Sequence, residues 1–204
     1  MEIIIHKINT VKELRKIRKD FGTEIDIKSF KSQLILNHEP YKSGELLDDY
    51  LSAYNNGTLI LNIKESGIED DVINLTKKYK IKSYFLLDCE MPYIFQKIKK
   101  NFKKMAIRFS EYEPIEISKN FINKVDWIWI DTYTKLPVNP SNMKIIKRFK
   151  SCIVCPERWG REKDIEKYFN KMVNMKFLPT SVMTSKKNSF KWLKLMSKKK
   201  VYSA

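Results

Sequence analysis

One alternation runs the length of the chain: a short apolar run, then a longer segment with apolar residues at helical spacing. Short apolar runs bounded by turn residues suit strands, and longer segments with apolar residues three and four apart suit amphipathic helices. Runs at 2–6, 23–28, 58–64, 83–88, 104–109, 126–131, 151–155 and 179–184 predict eight strands. Segments at 10–21, 44–56, 69–79, 92–102, 114–123, 140–149 and 163–175 predict the helices between them, and a further extended run covers 33–37. Thr10 followed by Glu13 has capping-box spacing, and Pro92, Pro114 and Pro140 stand where first helical turns begin. Eight βα units in one domain predict an α/β fold, a compact (βα)8 TIM barrel over residues 1–193, followed by a basic tail at 194–204. Typical barrels need ~250 residues, so the loops must be short; an open doubly wound sheet is the alternative.

Composition narrows the class. With 43% hydrophobic and 12% aromatic residues the chain can bury a sizeable core, which excludes disorder. No apolar run approaches the ~20 residues of a membrane span. Forty Lys and Arg against 24 Asp and Glu give a net charge of +16, which suits an anionic partner. The lysines are scattered through every segment, however, and read as a solvated surface, so nucleic acid is disfavoured as a partner. The terminal run Phe190, Trp192, Leu193, Leu195 and Met196 among lysines offers weak contact with a membrane surface, although a helix completing the barrel is the simpler reading. Three cysteines and an N-terminus without a signal-peptide pattern lead to the expectation of a cytoplasmic protein. Cys152 and Cys155 have CxxC spacing but no second pair, and on a strand they face opposite ways, so they read as filler. Trp127 and Trp129 share a strand face and read as packing.

In such barrels the chemistry sits at the C-terminal ends of the strands, and here those ends carry ionisable side chains. His6-Lys7, Glu24-Ile25-Asp26, His38-Glu39, Asn62-Ile63-Lys64, Asp88, Arg108, Asp131 and Glu157 fall there. The chain has two histidines, and both terminate extended segments; together they could divide general acid and general base work near neutral pH. Glu24 and Asp26 are two apart on a strand and point to one face. Two ionised carboxylates side by side repel, and a hard divalent cation, Mg2+ or Ca2+ in preference to Zn2+, relieves that repulsion. The competing reading is a buried ion-pair network with Lys28 or Lys64. Asn62 and Lys64 repeat the spacing on the next strand, Asn62 to give a carbonyl oxygen and Lys64 to hold an anion. Lys7 and Arg108 are further candidates to hold a substrate phosphate, and Asp88, Asp131 and Glu157 to line the pocket.

These residues, in this order, resemble the glycerophosphodiester phosphodiesterase family, and more closely a group of small bacterial phosphodiesterase-like proteins. The family's strand ending in His-Arg, its Glu-x-Asp, its His-Asp and its Glu-x-Lys are met by His6-Lys7, Glu24-Ile25-Asp26, His38-Glu39 and Asn62-Ile63-Lys64. The smaller group is also resembled by residues 107–114, by Trp127-Ile128-Trp129-Ile130-Asp131, and by Cys155-Pro156-Glu157 with Gly160-Arg161. The resemblance implies a (βα)8 barrel and a metal-dependent hydrolase of a small or glycan-linked glycerophosphodiester. It implies His6 and His38 as the acid/base pair, and Glu24 and Asp26 as ligands of Mg2+ or Ca2+ with Asn62 in the third ligand position. Three residues depart from the pattern: Lys7 stands for Arg, Glu39 for Asp, and Asn62 for a third carboxylate. The loss of that negative ligand keeps a rival open, a catalytically weak or inactive barrel that binds a phosphate ligand or nucleic acid.

Overall fold

The structure, a computed structural model, describes residues 1–202, with side chains through residue 198. Ser203 and Ala204, the end of the expected basic tail, lie outside the described residues. The chain divides into two compact units, one of Ile4–Ala106 and one of Met1–Ile3 with the chain from Ile107 onward.

The unit Ile4–Ala106 holds the latter half of β1 (Glu2–Ile5), then α1 (Val11–Leu14), β2 (Gly22–Phe30), β3 (Gln33–Leu36) and β4 (Glu45–Leu46). It continues with α2 (Leu47–Ala53), β5 (Leu59–Ile63), α3 (Glu69–Lys78), β6 (Tyr84–Leu87) and α4 (Met91–Lys99). Strands β1, β2, β5 and β6 pair in parallel, with Ile5 opposite Thr23, Asp26 opposite Asn62, and Asn62 opposite Leu87. Parallel strands of this kind are buried on both faces, and β2 is buried from Gly22 through Lys28. Alternation therefore puts Ile25 and Ile27 on one face and Glu24, Asp26 and Lys28 on the other. Beyond Asp26 the strand continues into an antiparallel hairpin with β3. Lys31 and Ser32 close it with φ of 48° and 62°, the left-handed pair whose twist matches that of a hairpin.

In the other unit follow β7 (Ala106–Phe109) from its second residue, α5 (Ile115–Lys119), β8 (Trp127–Ile130), α6 (Met143–Ile146) and β9 (Lys150–Val154). A 3-10 turn (Pro156–Trp159), α7 (Asp164–Asn174), β10 (Ser181–Thr184) and α8 (Ser189–Tyr202) complete it. Its strands lie in the order β7-β8-β9-β10, with β8, β9 and β10 joined in parallel register, and the Glu2 amide donates to the Thr180 carbonyl at 2.8 Å. Trp127 and Trp129 are buried packing residues, and Cys152 and Cys155 are buried and unbridged. Trp192 of α8 is fully buried and its indole N–H donates to the Cys155 Sγ at 3.2 Å. Among the described residues no helix is long and apolar enough to cross a membrane.

All eight predicted strands and the extra run at 33–37 form, with ends shifted by up to two residues. The helices differ more. The segment 10–21 is helical only over Val11–Leu14, under the expected Thr10 cap; beyond it, bonds from residue i to i+3 tighten the chain, and Arg18 forks onto both oxygens of Asp20. Residues two apart do not face each other on a helix, so that fork requires a turn. The segment 44–56 opens as strand β4, because a Cβ on Gly44 would lie 2.2 Å from the Leu36 carbonyl oxygen; glycine alone lets the two backbones meet there. Pro140 lies outside a helix: the Asn139 side chain accepts from the amides of Ser141 and Asn142, and this local turn delays α6 to Met143.

Candidate active site

In the unit Ile4–Ala106 the ends of four parallel strands and of β3 bring most of the expected side chains together. Glu24 and Asp26 are 0% and 1% exposed, projecting from the same face of β2. Each carboxylate is held in place by neighbours. Directly after β1, Lys7 takes a positive φ of 57°, which turns its backbone amide onto the Glu24 Oε2 at 2.8 Å while its side chain faces solvent. His6, one residue earlier, places Nε2 3.9 Å from the same oxygen, its side chain 21% exposed. Asn62 on β5 donates through Nδ2 to the Glu24 Oε1 at 2.7 Å and, more weakly, to the Asp26 Oδ1 at 3.5 Å. Lys64 reaches the Asp26 Oδ1 at 3.4 Å and the Asp88 Oδ2 at 3.7 Å. Asp88 follows β6 in a left-handed conformation, φ 62°, which bends the chain where the strand ends.

Asn9 was not anticipated. Its Nδ2 donates to the Asp26 Oδ2 at 3.0 Å while its Oδ1 accepts the Asp26 backbone amide at 2.9 Å, a two-point clamp on that aspartate. No periodicity marks such a residue; its only signal is a polar side chain three positions past the strand-ending His6. His38, after β3, is exposed, with Nδ1 3.2 Å from the Glu39 Oε1. It lines one cavity of about 650 Å3 together with Lys64. Glu65 points elsewhere than Asn62, as strand alternation requires, and its carboxylate accepts from the Ser29 amide and hydroxyl.

Electrostatics separate Glu24 from its neighbours. Burial, and then the charge of Asp26 beside it, push its carboxyl up to about 7, against the pull of the Asn62 amide, the Lys7 amide and Lys64. Among the described residues no three His, Cys, Asp or Glu side chains are grouped to hold a metal ion. What converges instead is two carboxylates and the Asn62 amide, which faces them through Nδ2 while its Oδ1 is buried without a hydrogen-bond partner; turned over, the amide would set that oxygen beside the carboxylates. Two repelling carboxylates and an unsatisfied amide oxygen are hard donors, so this set fits Mg2+ or Ca2+ better than a softer ion.

Arg108, Asp131 and Glu157 belong to the other unit. Arg108 pairs with Asp131 at 2.8 Å and reaches the Tyr133 hydroxyl at 3.3 Å, and the Trp129 indole donates to the same Asp131 oxygen at 3.0 Å. Glu157 accepts from the Thr184 hydroxyl at 2.6 Å and the Ser185 amide at 2.7 Å, tying the end of β10 to the turn after β9.

By sequence, no protein-family profile and no curated protein matches the chain. Solved structures do. A glycerophosphodiester phosphodiesterase from Agrobacterium tumefaciens is similar with a TM-score of 0.62 at 11% identity, covering 90% of this chain and 96% of that one. A glycerophosphoryl diester phosphodiesterase from Parabacteroides distasonis gives 0.61 at 12% identity, over 90% and 82%. The fold is thus the α/β barrel type expected from the strand pattern, and its structural neighbours are glycerophosphoryl diester phosphodiesterases.

Proposed function

We propose that the chain belongs with the glycerophosphodiester phosphodiesterases and hydrolyses a small or glycan-linked glycerophosphodiester with the help of Mg2+ or Ca2+. The observation that carries this reading is the convergence at Glu24 and Asp26. An imidazole stands 3.9 Å from one carboxylate, and an ammonium stands 3.4 Å from the other. That juxtaposes an acid/base group, a hard-oxygen pair and a phosphate-binding cation.

Glu24, Asp26 and Asn62 would hold the cation. When bound, it neutralises charge on the nonbridging phosphate oxygens. Lys64 adds its own positive charge to those oxygens, oriented by Asp26 and Asp88. One histidine removes the proton from the substrate hydroxyl that attacks phosphorus, closing a cyclic phosphate, and the other donates a proton to the alkoxide that leaves as the P–O bond breaks; water, activated by the same pair with roles reversed, then opens the cyclic phosphate to the monoester. His6 and His38, the two histidines of the chain, take these complementary parts. Asn9 and the Lys7 amide keep the carboxylates from rotating away.

The test is hydrolysis of a panel of glycerophosphodiesters by wild type and by His6→Ala and His38→Ala, with Mg2+ or Ca2+ added. Cleavage that both substitutions abolish supports the reading; cleavage indifferent to both refutes it. The Asn62 amide lodged between the carboxylates favours a second reading, a barrel that holds a phosphate ligand without cleaving it. Binding of a diester without turnover would select that one.

A further inference from the structure

The row of side chains on β2 does not stop at the carboxylates. Lys28 is the next residue on the face that carries Glu24 and Asp26, and it lies beside Lys64, whose amide donates to the Ile27 carbonyl. The acidic layer of Glu24, Asp26 and Asn62 is therefore followed along the strands by a basic layer of Lys28 and Lys64. Lys28 is 6% exposed, and its ammonium donates to the Glu39 backbone carbonyl, which fixes it next to His38. The cavity of about 650 Å3 beyond is lined by these two lysines, by His38, by Lys31 at the hairpin turn, and by Phe30 and Tyr41. Its volume lies within the range of small-ligand sites, about 300–1,000 Å3, and it is open to solvent on the side of Tyr41.

Three lysines in one cavity repel one another unless an anion joins them. Lys64 already has Asp26 and Asp88 within 4 Å. The one acid of the cavity lining, Glu65, has its oxygens engaged by the Ser29 amide and hydroxyl, while the Lys28 ammonium donates to the Glu39 carbonyl. Lys31 extends over the Phe30 ring at 5.6 Å and is open to solvent. The pair Lys28 and Lys31 thus carries positive charge that the scissile phosphate, held at Lys64, would not use. Tyr41 is 96% exposed and with Phe30 offers apolar ring faces at the same cavity, the surfaces on which a sugar or polyol ring rests.

We propose that this cavity takes the alcohol side of the diester and that the alcohol carries a second phosphate, so that the preferred substrate is a glycerophosphodiester of a phosphorylated sugar or polyol. The inference rests on the phosphodiesterase reading for the scissile bond, but it concerns separate residues. A cationic alcohol such as choline is disfavoured by the same lysines.

Binding to the His6→Ala protein, which on that reading should hold diesters without turning them over, separates the two claims. Calorimetric titration in Ca2+ compares glycerophosphoinositol with glycerophosphoinositol 4-phosphate. The second phosphate should tighten binding about tenfold, the scale of charge-assisted hydrogen bonds. That preference should be lost in Lys28→Gln and fall up to about fivefold in Lys31→Ala, where the charge is solvent-exposed. Lys119→Ala, which removes one positive charge from the other unit, should leave it intact. Because Lys31 is exposed, its variant remains informative if Lys28→Gln folds poorly. Equal binding of the two ligands, or a preference unmoved by both lysine changes, overturns the inference. Retained preference without hydrolysis by wild type refutes the phosphodiesterase reading and leaves the cavity assignment standing; hydrolysis of both ligands at equal kcat/KM does the reverse.

Discussion

The two units surround their carboxylates differently. Asp131 meets a guanidinium and an indole N–H at Oδ2, and half-buried Glu157 meets a hydroxyl and a backbone amide at Oε1, so each presents one oxygen to two donors and faces no second carboxylate there. Glu24 faces another carboxylate instead, shares one amide with it, and is pushed up to about 7 by burial and by that neighbour. A chain selected only to fold would remove such a pair, because burying unmatched like charges opposes stability. The difference is why the proposal assigns the ligand to Glu24 and Asp26 and a structural part to Asp131 and Glu157.

The comparison breaks most visibly at the histidines. His6→Ala or His38→Ala should lower diester turnover by about 10²–10⁴-fold, the usual scale of general acid–base catalysis, and should leave the thermal midpoint nearly unchanged. Both imidazoles are partly exposed, so neither supports the core. Asp131→Ala should do the opposite to folding. It strands the Arg108 guanidinium and the Trp129 indole, and chemical denaturation should register a loss on the order of 1–3 kcal/mol. A smaller effect is expected at Asn62. Replacing it with Glu adds a third negative ligand and should tighten divalent-cation binding without substrate on the order of tenfold. The diester should then enhance cation affinity less in Asn62→Glu than in wild type, which paired calorimetric titrations would read.

Which parts of this were legible in the sequence follows from the physics behind each. The strands were, because runs such as Ile3-Ile4-Ile5 and Leu59-Ile60-Leu61 bury both faces whatever lies around them. The placement of Glu24 beside Asp26, and of Asp26 across from Asn62, was also legible, since strand alternation and parallel register leave little choice. Helix lengths were not: Leu14 and Ile17, three apart, satisfy a tightened turn as well as a helix, and the Arg18–Asp20 fork selects the turn. Asn9 escaped because its role depends on a loop that brings it back over β2. Lys28 was seen only as a neutraliser of the carboxylates, although its own alternation continues their row toward the cavity. For Lys7 the sequence pointed to its ammonium, whereas its left-handed backbone brings the amide to Glu24.

The most direct measurement sets Glu24→Gln against wild type in thermal unfolding, across pH 5 to 8 in EDTA for the pH profile and then at pH 8 with Mg2+ or Ca2+ in excess for the effect of the cation. The folded carboxyl holds its proton up to about 7, whereas an unfolded one releases it near its ordinary 4.5. The native state therefore binds more protons in that window, so wild type should lose stability as pH rises through it, by up to a few kcal/mol. The glutamine cannot ionise, and its amide can donate to the unpartnered Asn62 Oδ1 once that side chain turns over. Glu24→Gln should thus be the more stable protein at pH 8, with a flatter pH profile, while its turnover and its stabilisation by Mg2+ or Ca2+ are lost. A Glu24→Gln protein less stable than wild type at pH 8, still stabilised by the cation, would contradict the account.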